Sequence, residues 1–98
     1  MKRAADRVKV LERHVRVCNK RGLHARAAAK FVRLADTFRC RIIVKKEDIE
    51  VAGTSIMGLL LLAAAEGEEL TLRASGPRAE EALDALEELI CSRFKEGA

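Results

Sequence analysis

Apolar and polar residues alternate from Leu11 to Cys18, with Leu11, Arg13, Val15 and Val17 on one side and Glu12, His14, Arg16 and Cys18 on the other. A period of two predicts a half-buried strand over 11–18. Asn19-Lys20-Arg21-Gly22 breaks the alternation and reads as a loop. From Ala25 to Phe38 the spacing changes to three and four: Ala28, Phe31, Val32, Ala35 and Phe38 form a stripe flanked by Leu34, while Arg26, Lys30 and Arg33 lie on the opposite face. That periodicity predicts a helix over 25–38. Cys40 to Lys45 is β-branched at its centre (Ile42, Ile43, Val44), and Ile49 to Ala52 follows the polar Lys46-Glu47-Asp48, which predicts a hairpin.

Gly53-Thr54-Ser55 ends the second hairpin strand and offers a hydroxyl N-cap for a helix from Ile56 to about Ala65, with Gly67 as its C-cap. Leu70, Leu72 and Ala74 alternate with Glu69, Thr71, Arg73 and Ser75 and predict a further strand. Gly76-Pro77 opens a last helix, whose apolar positions Ala79, Ala82, Leu83, Leu86, Leu89, Ile90 and Phe94 step by three and four, with Glu80 and Glu81 at its positive end. The order βαββαβα, with one apolar face per strand and one stripe per helix, predicts an α+β open-faced sandwich: a four-stranded antiparallel sheet with three helices on one face. Residues 1–10 read as a polar extension and 11–98 as a single domain.

Composition narrows the class. The chain has 98 residues, 49% of them hydrophobic and only three aromatic, all Phe, so its core is aliphatic. The longest apolar run, Ile56 to Ala65, is far shorter than the ~20 residues of a membrane span. Neither it nor the basic N-terminus, interrupted by Glu12, Arg13, His14 and Arg16, fits a secretion signal or membrane insertion, so a cytoplasmic location is expected. Cys18, Cys40 and Cys91 have no CxxC spacing, which predicts reduced packing residues rather than a zinc site or a disulfide framework. Net charge is +4, compatible with acidic protein partners or with nucleic acid. A small basic nucleic-acid module fits poorly, because Tyr and Trp are absent, the three Phe are expected on helices and no basic strand face appears.

His24 carries the candidate chemistry. It stands where the loop becomes a helix, beside backbone N–H groups expected to be free around residues 24–27, at the positive end of the macrodipole and two residues before Arg26. An imidazole is nucleophilic when neutral, and the amides with the guanidinium fork suit a phosphoryl group. The His-x-Arg triplet alone is weak evidence, since an ordinary helix start with a solvated arginine is the commoner source of such triplets. Ser55 reads as a helix N-cap, and His14, with no second ligand nearby in sequence, as structural. A short helix cannot bury Ile56, Met57, Leu59 and Leu60 together, so one or two should face outward as a partner surface. Arg26, Lys30 and Arg33 form either a solvated face or a steering face for an acidic partner. No constellation supports a metal site, a nucleophilic triad or a cofactor.

The run Gly22-Leu23-His24-Ala25-Arg26-Ala27-Ala28-Ala29-Lys30-Phe31-Val32 resembles the signature of the HPr family, the histidine-containing phosphocarriers of the bacterial phosphotransferase system, and Thr54-Ser55-Ile56-Met57-Gly58-Leu59-Leu60 resembles its second signature. The spacing of the histidine and the serine is that of the family, and the resemblance extends from about Leu11 to Leu89. It implies that His24 accepts a phosphoryl group on Nδ1 from phosphorylated Enzyme I and passes it to an Enzyme IIA component, with Arg26 neutralising the load. It also implies a regulatory phosphorylation site at Ser55 for an HPr kinase/phosphorylase, and docking through Lys30, Arg33, Ile56, Met57 and Leu60. On this reading the chain is a monomeric carrier, not an enzyme. A purely regulatory HPr-like protein acting through Ser55 is the alternative. Two positions depart from the pattern: Ala27 replaces the usual proline, which gives up rigidity but adds a donor, and Thr54 replaces the usual lysine.

Overall fold

The computed structural model describes residues 9–96. The strands are β1 (Val10–Arg16), β2 (Arg41–Lys46), β3 (Ile49–Ala52) and β4 (Glu69–Ser75), and the helices are α1 (Ala25–Asp36), α2 (Ile56–Leu61) and α3 (Ala79–Cys91). All pairings are antiparallel, in the order β1-β4-β2-β3, so the last strand lies in the middle of the sheet. The predicted α+β open-faced sandwich is the observed fold. The expected extension 1–10 falls largely outside the described residues, and Val10 already pairs with Ser75 inside β1.

One sheet face supplies Val15, Ile42, Val44, Leu70, Leu72 and Ala74 to the core, where they meet Phe31 of α1 and Leu83, Leu86 and Ile90 of α3. Arg13 lies on this inward face and is accommodated by pairing with Asp84 and Glu87 of α3, which together hold its guanidinium above the usual arginine range. Val17 is buried as predicted, but it lies past the end of β1 and is fixed by its N–H donating to the Glu68 carbonyl at 2.9 Å.

Several boundaries differ from the sequence reading. α1 ends at Asp36, because Thr37 caps it with its N–H on the Leu34 carbonyl and its Oγ1 on the same oxygen. Phe38 therefore lies beyond the helix, where the Arg78 guanidinium stacks 5.2 Å from its ring. α2 is six residues long and does not reach Ala65: Leu62 caps it and Ala63 turns left-handed at φ 49°. Gly67 is thus no C-cap; at φ 89° it turns the chain into β4 and donates its N–H to the Val17 carbonyl. α3 begins at Ala79 rather than at Pro77, after a left-handed Arg78 without a side-chain cap.

The largest departure is at the C-terminus. Phe94 is not on α3; Arg93, Phe94 and Lys95 have φ of 59°, 54° and 61°, forming a short left-handed turn. Such conformations cost an L-residue roughly 1–2 kcal/mol each. The turn is held by Phe94, which is fully buried, and by Lys30, whose Nζ donates to the Phe94 carbonyl at 2.6 Å. Only Phe31 of the three aromatics is on a helix, but with Phe94 buried and Phe38 covered none offers a stacking platform for bases.

Candidate functional site

The loop before α1 is built by backbone and amide contacts. Asn19, fully buried, donates Nδ2 to the Gly22 carbonyl at 2.8 Å, and Gly22 N–H returns to the Asn19 carbonyl at 3.1 Å. Gly22 has φ 66°, and a Cβ there would lie 2.3 Å from the Ala64 carbonyl oxygen, so only glycine fits without moving backbone. Leu23 N–H donates to that same oxygen at 2.9 Å. The Ala64 segment is clamped in turn by Glu68, which accepts from Ala65 N–H at 2.7 Å and pairs with Lys46 at 2.9 Å. These two contacts, the Ala65 amide foremost, hold the Glu68 carboxyl below its ordinary range.

His24 is the N-cap residue of α1, in extended conformation, with its side chain only 17% exposed. Its Nδ1 accepts from Arg26 N–H at 3.3 Å, and its carbonyl accepts from Ala28 N–H at 2.8 Å. A backbone N–H can only donate, so Nδ1 carries the lone pair and a neutral ring must hold its proton on Nε2. Nε2 lies 2.8 Å from Oε2 of Glu96, itself 13% exposed. The expectation of free amides is corrected in part: His24 N–H goes to the Gly22 carbonyl at 2.9 Å and Arg26 N–H to the ring, leaving Ala25 and Ala27 without acceptors among the described residues. Ala27, in the proline position, has its side chain fully buried, and its unpaired amide explains why a residue without N–H also serves there.

The other predicted residues separate into two groups. Arg26 and Arg33 are exposed on α1, and no acidic residue occupies the helix's first turn. Lys30 is half-buried and donates to the Phe94 carbonyl, so besides carrying a positive charge on this face it holds the C-terminal turn. Ser55 caps α2, its Oγ accepting from Gly58 N–H at 2.9 Å, as predicted. Ile56 and Met57 face outward, at 40% and 71% exposure, and Leu59 is buried. Leu60 is partly buried against the core; the outward leucine is Leu61, four residues after Met57 and on the same face of α2. His14 sits on the solvent face of the sheet, 3.1 Å from Thr71 Oγ1, remote in role from His24. The cysteines are free, with Cys18 Sγ donating to the Arg16 carbonyl at 3.3 Å. Among the described residues no group of three or more His, Cys, Asp or Glu could hold a metal, and no helix is long and apolar enough to cross a membrane.

The site is thus a lone-pair Nδ1 at the start of α1, held by the Arg26 amide. The family described as PTS HPr component phosphorylation site matches residues 11–92. The chain belongs to the HPr family. Its relatives include the phosphocarrier protein HPr of Cupriavidus necator, 44% identical over 90% of this chain and 99% of that protein. The phosphocarrier protein NPr of Shewanella violacea is 41% identical over 90% of this chain and 97% of its own length. An HPr crystal structure from Thermoanaerobacter tengcongensis superposes with TM-score 0.84 at 43% identity, covering 88% of this chain and 97% of that one. Membership of the HPr family of phosphocarriers places this chain in the phosphotransferase system. Sequence reasoning singled out His24, Arg26 and Ser55 but missed Glu96, Asn19 and the turn through Phe94. A buried asparagine opening a turn has a local signal in its composition; Glu96, 72 residues after its partner, has none.

Proposed function

We propose that His24 is the phosphoryl-carrying residue of this HPr-family protein, accepting from phosphorylated Enzyme I and donating to an Enzyme IIA component in the cytoplasm, without itself acting as an enzyme. The observation that carries this reading is the Nδ1 lone pair at the N-terminus of α1, fixed there by the Arg26 amide. On loading, Nδ1 gives its lone pair to phosphorus, and Arg26 N–H, freed from the ring, can turn to a phosphoryl oxygen. The unpaired Ala25 and Ala27 amides and the Arg26 guanidinium supply further donors. Exposed helix-terminus interactions are worth only ~0.3–1 kcal/mol each, so the site steadies a phosphoryl group that must leave again. With Enzyme I and phosphoenolpyruvate, 31P–15N NMR should show a single adduct on Nδ1 of His24. An adduct on Nε2, or on another residue, contradicts the reading.

Ile56, Met57 and Leu61 form the apolar docking surface on this reading, with Arg26 and Arg33 as the charged component; Leu61 takes the part assigned from sequence to Leu60. Ser55, next to that surface, is the proposed regulatory site. Its Oγ already meets Gly58 N–H, so a phosphate there would be tolerated by α2 while adding about −1.5 to −2 charges beside the apolar patch. Ser55→Glu is expected to weaken Enzyme I binding about tenfold, seen as a raised KM with the His24 transfer rate at saturation unchanged. An unaltered KM counts against this role. The regulatory alternative, in which Ser55 is modified and His24 ignored, predicts no loading by Enzyme I at all.

A further inference from the structure

The C-terminal turn is an expensive piece of backbone: three consecutive non-glycine residues, Arg93, Phe94 and Lys95, are held left-handed. Strained conformations persist where their surroundings over-determine them, and they gather at functional sites. Here the surroundings are a fully buried Phe94 ring and the Lys30 ammonium on the Phe94 carbonyl. The turn leads directly into Glu96, whose Oε2 lies 2.8 Å from His24 Nε2 with both side chains largely buried. The two ring nitrogens are thus held from opposite sides, Nδ1 by a donor and Nε2 by an acceptor.

We infer that Glu96 is a positioning residue for phosphoryl transfer, acting through His24. This rests on the phosphocarrier reading of His24 and extends it. In the unloaded protein the carboxylate joins the long Arg26 amide contact in favouring the tautomer with its proton on Nε2, which leaves Nδ1 as the nucleophile. During loading, the Nδ1 lone pair forms the N–P bond while the bond from phosphorus to the donor atom breaks and its electron pair departs with the donor. The Nε2 proton does not move. The ring becomes cationic, and the Glu96 carboxylate faces that developing charge in a site that excludes much of the water. In the return step the same retained proton matters: with Nε2–H in place the ring leaves as neutral imidazole, whereas a ring without it would have to leave as imidazolate. Glu96 therefore aids both arrival and departure, as a carrier requires, and it does so without touching the phosphoryl group.

The test uses the full chain and the variants Glu96→Gln and Glu96→Ala. Glutamine can still accept from Nε2–H but lacks the charge; alanine lacks both. The 15N shifts of the His24 ring, read without any phosphoryl donor, should report the Nε2–H tautomer in the wild type and Glu96→Gln, and a mixture in Glu96→Ala. Single-turnover transfer from phosphorylated Enzyme I should fall about tenfold in Glu96→Ala and less in Glu96→Gln, the loss expected of one charge-assisted hydrogen bond, with KM unchanged. Backbone NMR spectra establish that each variant is folded. Wild-type ring shifts and wild-type transfer rates in Glu96→Ala would overturn the proposal. Failure of the wild-type chain to load on His24 would overturn the phosphocarrier reading instead, while the ring shifts would still report whether Glu96 sets the tautomer.

Discussion

His24→Ala is expected to abolish phosphorylation by Enzyme I, lowering acid-labile phosphate incorporation by on the order of a thousandfold or more, as removal of a nucleophile does. No second group can take over. His14, the other imidazole, lies on the solvent face of the sheet with Nδ1 engaged by Thr71 Oγ1, on β1 and not at a helix N-terminus. Alanine also deletes the helix cap, which costs about 0.5–2 kcal/mol; the 3.3 Å separation of the cap bond places the loss at the lower end. His24→Gln separates the two effects, because its amide oxygen can accept from Arg26 N–H while its side chain has no nucleophilic nitrogen. Radiolabelled phosphoenolpyruvate with Enzyme I provides the assay, and denaturant unfolding the control. Equal labelling of wild type and His24→Gln would remove His24 from the mechanism.

The range of the interactions involved decides which features are legible in the chain and which are not. The strands and helices announce themselves through periods of two and three to four, because each buries one face on the same core. Ser55 is readable as a cap because its partner amide is three residues away. His24 and Arg26 are readable because a helix start places them together. The length of α2 is not, since Leu62, Ala63 and Ala64 continue an apolar run that a helix could have carried. The chain leaves the helix there because Ala64 has to present its carbonyl to Leu23 and Lys46 donates to the carbonyls of Leu62 and Ala63. Lys30 reads as part of a basic face for the same kind of reason: its acceptor, the Phe94 carbonyl, is 64 residues on. Phe94 fits the helical spacing of α3 and is buried as that spacing requires, yet it reaches the core by a left-handed turn that no local pattern encodes. Element existence is thus set by local pattern, and the second side of the site by long-range contacts.

Phe94→Ala tests whether that turn is held by its ring, and it carries the largest expected effect on stability. The side chain is fully buried beside a core built mainly of small and aliphatic residues, so its removal should cost about 3–5 kcal/mol, seen as a fall in the denaturant midpoint with little change in slope. With the ring gone, the three left-handed residues lose their buried anchor and keep only exposed or partly exposed polar contacts, those of Lys30, the Lys95 and Glu96 amides and Glu96 itself, so Glu96 should leave His24. The His24 ring shifts should then resemble those of Glu96→Ala even where the rest of the fold survives. The backbone contribution has the opposite sign and can be read separately. Arg93 and Lys95 are exposed and have φ of 59° and 61°, so glycine at either position relieves a strain of roughly 1–2 kcal/mol while losing about 0.5–1 kcal/mol to the entropy of the unfolded chain. Arg93→Gly and Lys95→Gly should therefore be neutral to stabilising, whereas glycine in a helix interior would destabilise. A large loss of stability in both glycine variants, or none in Phe94→Ala, would show that residues 93–95 do not hold this turn, and that Glu96 reaches His24 by some other route or not at all.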